Sequence, residues 1–342
     1  MTKRKIVLTG VTTSGEPHIG NLVGAILPAI KASKDQNIDS FLFLADYHSL
    51  IKNQDAQLTY KSSFEVAACW LACGLEPDKV IFYRQSDVPQ ITELAWILSC
   101  LTSKGLLNRA HAYKAAVASN EDQNIRDIDK GVSMGLFNYP ILMCADILMF
   151  KADEVPVGDD QKQHLEMARD IAEKFNKHYG EIFTLPREVI SKSHGVLPGL
   201  DGRKMSKSYG NVIPVFVSQN KLKNMIKKIK TNSLEPGVPK DYQSCTIYKI
   251  YKAFATDEDC LHMKDRYDNG ISWGEAKESL TELMNEVLTP YWAEYEKICS
   301  DRGYVEKTLL EGAQKAQAVA EPMMKLVRQM VGIKSFNGPK TL

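Results

Sequence analysis

Apolar and polar positions along the first half of the chain follow two alternating patterns. Short continuous apolar runs are typical of buried parallel strands, and they are interleaved with longer stretches whose apolar residues recur at helical spacing. The predicted strands are Lys5–Thr9, Ser40–Ala45, Val80–Tyr83 and Glu154–Val157. The predicted helices are Leu22–Ser33 with a kink at Pro28, Tyr60–Cys73, Ile91–Thr102, Val132–Phe150 interrupted near Pro140, and Gln161–Tyr179 closed by Gly180. This alternation predicts an α/β fold with a Rossmann-like, doubly wound parallel sheet.

The pattern changes after residue 210, where helical periodicity dominates and Val212–Val217 is the last predicted strand. The helices predicted in this half are Lys221–Lys230, Tyr242–Ala255, Trp273–Cys299 and Tyr304–Val331. We therefore expect an α/β domain over 1–211, with a helical insertion at about 90–150, and an all-helical C-terminal domain over 212–335. The segment 336–342 is expected to be a frayed tail.

Composition narrows the class of protein without identifying it. The chain has 342 residues, 44% hydrophobic and 25% charged, with a net charge of +1. These values are ordinary for a soluble globular protein of two domains. A net charge this small produces no long-range electrostatic field that would attract the whole protein to nucleic acid or membrane. The N-terminus enters a strand-like run directly, so no signal peptide is predicted. The seven cysteines form no CxxC pair, which favours buried thiols in a reducing cytoplasm. Cys69 and Cys73 lack companion ligands, so no metal site is expected.

The segment GEPHIGN, residues 15–21, lies where the first strand passes into a helix. A tight βα turn alone would need its Gly and Pro. The alternative is a turn that binds phosphate at a helix N-terminus.

A second segment, LPGLDGRKMSKSYGN over 197–211, combines Gly, Lys and Ser. It is either a solvated surface loop or a mobile loop that closes on polyphosphate, where Lys supplies charge and Ser and backbone N–H groups supply hydrogen bonds.

These two segments resemble the two signature motifs of the class I aminoacyl-tRNA synthetases, known as HIGH and KMSKS. The segments YPILMCADILMF, 139–150, and VPVGDDQKQHLE, 155–166, are similar to the bacterial tryptophanyl-tRNA synthetases. The resemblance runs from Lys5 to about residue 335. It implies a ligase that joins tryptophan to ATP, releases pyrophosphate, and transfers the acyl group to the 3′ end of tRNA. Such a reaction needs positioning and charge stabilisation and no covalent nucleophile.

The resemblance also implies which residues bind ATP, with Mg²⁺ held through the phosphates. His18, Lys204 and Lys207 are the catalytic candidates. Gly20 allows close approach of the adenosine, Asn21 caps the helix, and the segment after Glu154–Val157 lies against the ribose. The full ATP set is Thr12, Thr13, Ser14, His18, Gly20, Asn21, Gly158, Asp159, Asp160, Val196 (or Leu197, under the adenine), Lys204, Met205, Ser206, Lys207 and Ser208.

Asp146 is the candidate for recognising the indole ring. A lone carboxylate in an apolar helix is costly unless paired. It is either a cap or ion-pair partner, or the acceptor for the indole N–H, which is only a donor. The remaining tryptophan candidates are Met143, Val155 and Val157 as apolar walls, Gln161, Tyr139 and His48. His48 has a second interpretation, as a structural histidine held by Asp46.

Two positions depart from the family pattern. Thr12-Thr13 replaces Gln-Pro in the first loop, and Ala112 replaces a Gln. We therefore expect rearranged contacts to the α-amino and carboxylate groups of the substrate, with His111 as a substitute.

The resemblance implies that the C-terminal helices contact the tRNA anticodon and that the protein is a homodimer. The apolar helices between Ile91 and Phe150 are candidates for the dimer interface. A basic stretch in this half is either a tRNA contact or a solvated helix face; it comprises Lys221, Lys223, Lys227, Lys228 and Lys230. The alternatives for function are a tyrosyl-specific synthetase, a small nucleotidyltransferase and a non-catalytic RNA-binding paralogue.

Overall fold

A parallel sheet forms the centre of the protein. The computed structural model describes residues 4–158, 161–190 and 197–336. In these ranges the strands are β1 Lys5–Thr12, β2 Ile38–Ala45, β3 Ile81–Arg84, β4 Glu154–Val157 and β5 Arg187–Ile190. Their order is β3-β2-β1-β4-β5, and every neighbouring pair is parallel. The chain builds outward from β1 in one direction and then in the other, so the order reverses between β1 and β4.

Helices precede, connect and follow these strands. They are α1 Ile19–Asn21, α2 Leu27–Ala32, α3 Asp46–Ser49, α4 Ala56–Ala72, α5 Gln90–Leu101, α6 Lys104–Leu107, α7 His111–Asp122, α8 Met134–Met149, α9 Lys162–Tyr179, α10 Gln219–Lys227, α11 Thr246–Lys252, α12 Asp257–Asp268, α13 Trp273–Ser300 and α14 Arg302–Met330. A π-helical stretch, Leu22–Ile26, joins α1 to α2. This irregularity lies immediately before Pro28, whose missing N–H removes a hydrogen bond from the helix.

The sheet separates two hydrophobic clusters. Along β2, Leu42 and Leu44 belong to one cluster, whereas Phe41 and Phe43 belong to the other. Successive side chains of a strand point to opposite faces, so each cluster fills one face of the sheet. The first cluster contains residues from both sides of position 211, because α4 and α11–α13 pack together in it. The domain limits predicted from the sequence stay a prediction.

The predicted fold class is confirmed, and most predicted elements lie within a few residues of the observed ones. The strand predicted over Val212–Val217 is wrong: Pro214 forms a single antiparallel bridge with His18. Pro214 has no N–H with which to continue a ladder. The break expected near Pro140 is also wrong, because α8 continues through that residue. The prediction missed β5, α3, α6, α7 and α12.

The long helix α14 returns to the sheet from the C-terminal half. It contributes Val305 and Leu309 to one cluster and Ala313 and Ala316 to the other. It therefore passes one edge of the sheet, the edge that β3 forms. At this crossing a Cβ on Gly312 would overlap the backbone carbonyl of Phe82.

Replacing Gly312 by alanine is expected to destabilise the protein by about 3 kcal/mol, because helix and strand must separate to admit the methyl group. The free energy of unfolding in urea measures this loss. Gly274→Ala in α13 is the matched control, since its added Cβ has only Ser272 Oγ at 3.8 Å. Equal stability of both variants would contradict the close crossing.

Candidate active site at the carboxyl edge of the sheet

The carboxyl ends of four neighbouring strands bring the candidate residues to one edge of the sheet. β1 ends at Thr12, β2 at Ala45, β3 at Arg84 and β4 at Val157. Candidate residues follow each of these ends. The first motif follows β1, the start of α3 (Asp46–His48) follows β2, Gln85 follows β3 and Gly158 follows β4. In doubly wound sheets, ligands bind in the crevice where the strand order reverses. Here that crevice opens between β1 and β4.

The first motif forms a turn that is fixed from two sides. The backbone N–H of Gly15 donates to Ser62 Oγ of α4 at 2.8 Å. The backbone N–H of His18 donates to Asn21 Oδ1 at 3.2 Å. Asn21 is therefore the third residue of the helical turn, and its side chain stabilises the residue that precedes the helix.

The His18 ring is buried beside this turn. Among the described residues its Nδ1 has no hydrogen-bond partner. Burial, and after it the positive charge of Lys207, together lower the pKa of His18 to about 4. The imidazole is therefore neutral near pH 7, with one nitrogen as donor and the other as acceptor. A Cβ on Gly20 would lie 2.9 Å from Nδ1, so the glycine makes room for the ring.

Replacing Gly20 by alanine is expected to lower kcat/KM for ATP in pyrophosphate exchange, the activity that the family resemblance implies, by about 100-fold. The added methyl group would displace His18, the predicted phosphate-binding group, by a fraction of an ångström. Gly24→Ala is the matched control, because nothing lies within 4 Å of its added Cβ. A loss shared by both variants would show that the effect comes from helix geometry.

The second motif packs against the first. Lys207 Nζ donates to the carbonyl oxygen of Ser14 at 2.8 Å. Met205 is buried, and its sulfur would lie 3.6 Å from a Cβ on Gly20. The backbone N–H of Ile19 donates to the carbonyl of Ile213 at 2.9 Å, which joins the segment after the second motif to the turn. The two motifs thus form one surface.

Buried Asn211 holds the second motif in shape. Its Oδ1 accepts from the backbone N–H of Ser206 at 2.8 Å, and its Nδ2 donates to the carbonyl of Lys204 at 3.1 Å. The hydroxyls of Ser206 and Ser208 lie 2.8 Å apart. Lys204 is exposed on this loop.

Charged groups of both signs surround Lys207. Burial lowers the pKa of Lys207 to about 8, against the opposing effect of Glu16 and Glu65. Burial and then Glu65 raise the pKa of Glu16, while Lys221, Lys61 and Lys207 oppose that rise. Lys221, from the predicted basic stretch, therefore lies within electrostatic reach of the first motif.

A second group of polar residues surrounds Asp146. This carboxylate is 1% exposed within α8. Gln85 Nε2 donates to Oδ1 and to Oδ2, each at 2.9 Å, and His48 Nε2 lies 3.0 Å from Oδ2. Burial raises the pKa of Asp146, while His48 and Gln85 favour the ionised form.

The other tryptophan candidates lie around this group. The Tyr139 hydroxyl is hydrogen-bonded to His164 Nε2, and His164 Nδ1 lies 3.0 Å from Gln161 Oε1. The rings of His48 and Tyr139 meet edge to face at 6.3 Å. Met143, Val155 and Val157 belong to, or pack against, the hydrophobic cluster on this face.

Several residues are placed differently from the expectation. His48 is bonded to Asp146, so the interpretation that Asp46 holds it is wrong; Asp46 accepts from Ser86. Thr13 is buried and its hydroxyl lies 2.9 Å from Ser49 Oγ, whereas Thr12 is exposed. The contacts of Thr12 and Thr13 with ATP stay predictions. The candidates Asp159, Asp160 and Val196 lie outside the described residues.

The sequence analysis missed three supporting residues: Gln85, Ser62 and Asn211. Gln85 follows a short predicted strand, and its position at a strand end was the available indication that it could belong to the site. Ser62 lies inside a helix and carries no pattern of its own. His111 is exposed at the start of α7, where its backbone N–H donates to the side-chain oxygen of Gln163. Its predicted contact with the substrate stays a prediction.

In the described part of the chain, no group of three or more His, Cys, Asp or Glu is arranged to hold a metal ion. Over the same ranges, none of the helices has the length and apolar character needed to cross a bilayer.

Comparison with known proteins agrees with this geometry. Residues 1–289 match the family model of class I tRNA synthetases (W and Y), so the chain belongs to that family. It is 51% identical over 331 residues to a tryptophan–tRNA ligase of Neisseria meningitidis, covering 97% of this chain and 98% of the relative. A tryptophan–tRNA ligase of Pseudomonas putida is also 51% identical, covering 98% of this chain and 75% of the relative. Within the family the chain is a member of the tryptophan–tRNA ligases.

The solved structures agree. The tryptophanyl-tRNA synthetase from Campylobacter jejuni, complexed with ADP and tryptophan, superposes with a TM-score of 0.84 at 41% identity. The match covers 96% of this chain and 99% of that one.

Proposed function

We infer that the chain activates tryptophan with ATP and transfers it to the 3′ end of tRNA(Trp). In the first step, a carboxylate oxygen of tryptophan attacks the α-phosphorus of ATP. The bond to the bridging oxygen of the β-phosphate breaks, and pyrophosphate leaves with that electron pair. The observation that carries this inference is the convergence of Lys207, His18 and buried Asp146 at one edge of the sheet.

The two motif loops would stabilise the charge that develops on the phosphates. Neutral His18 is suited to donate a hydrogen bond to a phosphate oxygen. Lys207 already lies against the first loop, and Lys204 and the hydroxyls of Ser206 and Ser208 would join it as the loop closes. Mg²⁺ would enter with the ATP phosphates. Stabilisation of this kind by fixed cations and donors is a large contribution to rate.

Asp146 would select the amino acid. Tryptophan presents one side-chain donor, the indole N–H, and a buried carboxylate is its complement. Phenylalanine has no N–H to donate and would leave that buried carboxylate without its ligand partner. An unpaired buried charge is costly, so the site would reject phenylalanine strongly. Met143, Val155 and Val157 would contact the ring, with Tyr139, His48 and Gln161 as orienting groups.

The finer assignments follow from the family. The exposed lysines of α10 and its C-terminal turn would contact tRNA, since Lys221 acts electrostatically on Glu16 of the first motif. A homodimer would form through the helices between Ile91 and Phe150, where Trp96 is 72% exposed. The cytoplasm is the expected location, because ATP and tRNA are both available there.

Pyrophosphate exchange into ATP, measured without tRNA and with tryptophan, tyrosine or phenylalanine in parallel, tests this function. Exchange with tryptophan alone is the expected result. Exchange with tyrosine instead would identify a tyrosyl-specific enzyme with the same phosphate site. Folded protein that binds tRNA but supports exchange with none of the three would be a non-catalytic paralogue.

A further inference from the structure

We propose that Gln85 is a positioning residue for amino-acid selection, which holds Asp146 as an oriented carboxylate ready to accept the indole N–H. The proposal rests on the role of Asp146 inferred above. Gln85 lies outside both signature motifs, in the turn that follows β3.

The contact between Gln85 and Asp146 is two-fold and buried. The side chain of Gln85 is fully buried, and its Nε2 lies 2.9 Å from each oxygen of Asp146. A carboxylate offers about four acceptor positions. Gln85 and His48 leave part of that capacity for a ligand, while they fix the plane of the carboxylate.

The orientation of the amide follows from its chemistry. Turned over, Gln85 would place Oε1 against two carboxylate oxygens, so three acceptors would face one another. The observed orientation instead leaves Oε1 buried, without a hydrogen-bond partner among the described residues. Buried unpaired acceptors are uncommon and costly. The protein accepts this cost in order to direct the Nε2 donor at Asp146.

Ion pairs and hydrogen bonds hold the turn that carries Gln85. The Arg84 guanidinium binds Glu306 of α14 through two hydrogen bonds, at 2.9 and 2.7 Å, and Asp87 at 2.7 Å. The backbone N–H of Ser86 donates to Asp46 at 3.1 Å. Gln85 therefore lies between two anchored neighbours, Arg84 and Ser86. Their contacts fix the backbone of the turn and so fix the position from which the Gln85 side chain extends.

The charged and titratable groups around Asp146 come from two further elements, α3 and β3. His48 follows β2, Asp46 lies in the same turn, and the buried Tyr83 hydroxyl belongs to β3. Burial raises the pKa of Asp146, and among these groups Asp46 raises it further while His48 and Gln85 lower it. Loss of the Gln85 donor would thus favour the protonated acid, whose hydroxyl offers a donor where the indole N–H needs an acceptor.

The test compares tryptophan with 3-benzothienylalanine, in which sulfur replaces the indole N–H. Gln85→Met keeps the volume of the side chain and removes both donors. In pyrophosphate exchange with the full-length protein, kcat/KM for tryptophan should fall by about 30-fold. The value for 3-benzothienylalanine should change less than about threefold, and KM for ATP should stay constant. The acid limb of the tryptophan pH profile should move to higher pH.

Gln123→Met is the matched control, because Gln123 is exposed at the C-terminal cap of α7 and, among the described residues, its side-chain amide donates to Ser119 Oγ alone. Equal losses for both substrates, with an unmoved acid limb, would make Gln85 a purely structural residue and overturn the proposal. If Gln85→Met fails to fold, Gln85→Asn keeps the amide but shortens its reach, and the same unequal loss is required of it.

The wild-type protein separates this proposal from the function on which it rests. Absence of any tryptophan-dependent exchange would refute the proposed function itself. Exchange with tryptophan that does not discriminate against 3-benzothienylalanine would keep the function, refute the indole contact of Asp146, and with it refute the role of Gln85.

Discussion

Replacing Asp146 by alanine is expected to lower kcat/KM for tryptophan in pyrophosphate exchange by about 1,000-fold or more. The change removes the only acceptor assigned to the indole N–H and leaves the Gln85 amide and His48 without their partner at a buried position. Sites built around a hydrogen bond to the substrate reject ligands that cannot complete it by about 10⁴-fold or more, which sets the scale.

KM for ATP should remain nearly constant in this variant, because the side-chain hydrogen bonds of Asp146 to described residues go to His48 and Gln85, which lie outside the two motifs. Asp170→Ala removes an exposed carboxylate from α9 and is the matched control. Asp146→Asn should show an intermediate loss, since its amide nitrogen would face the Gln85 donor. Tryptophan-dependent exchange that stays within tenfold of the wild type in Asp146→Ala would exclude the indole contact.

Replacing Lys207 by alanine is expected to reduce kcat for exchange by about 100- to 1,000-fold, the scale of removing one preorganised stabilising group from a reacting centre. The tryptophan KM should change little, because Lys207 lies against Ser14 of the first motif and outside the group around Asp146. Lys177→Ala, an exposed lysine of α9, is the control.

Lys207 also predicts a pH dependence. Burial lowers its pKa to about 8, so the free enzyme carries the positive charge below that pH and loses it above. Since this charge is proposed to bind phosphate, kcat/KM for ATP should decline as the pH rises beyond about 8. Lys207→Arg should remove this decline, because a guanidinium stays protonated throughout the range. A decline that persists unchanged in the arginine variant would assign it to another group.

The sequence was sufficient to predict the strand–helix alternation and to single out the two motif loops and Asp146, which the structure brings to one edge of the sheet. Each depends on local information: periodicity, Gly and Pro at turns, or a charge inside an apolar helix. Gln85 and the position of α14 were not predictable, because each depends on contacts between residues distant in the chain. Asn211 bonds to residues of its own loop, Ser206 and Lys204, and was missed because a single Asn in a polar loop carries no pattern that distinguishes it. The strand predicted over Val212–Val217 had the right apolar character, but its neighbour in space is an irregular turn and not a strand.

The crossing of α14 over β3 has a consequence for how this protein is made. α14 follows every other described element in the chain, yet it closes one edge of the innermost layer. On the ribosome, β3 therefore emerges long before its cover, and its edge stays open while more than two hundred further residues, 85–301, are translated. An open strand edge is a template for pairing with other chains. We therefore expect the nascent chain to expose this edge to pairing partners until residues 302–330 have left the exit tunnel, and a chain that ends before residue 302 to keep it open.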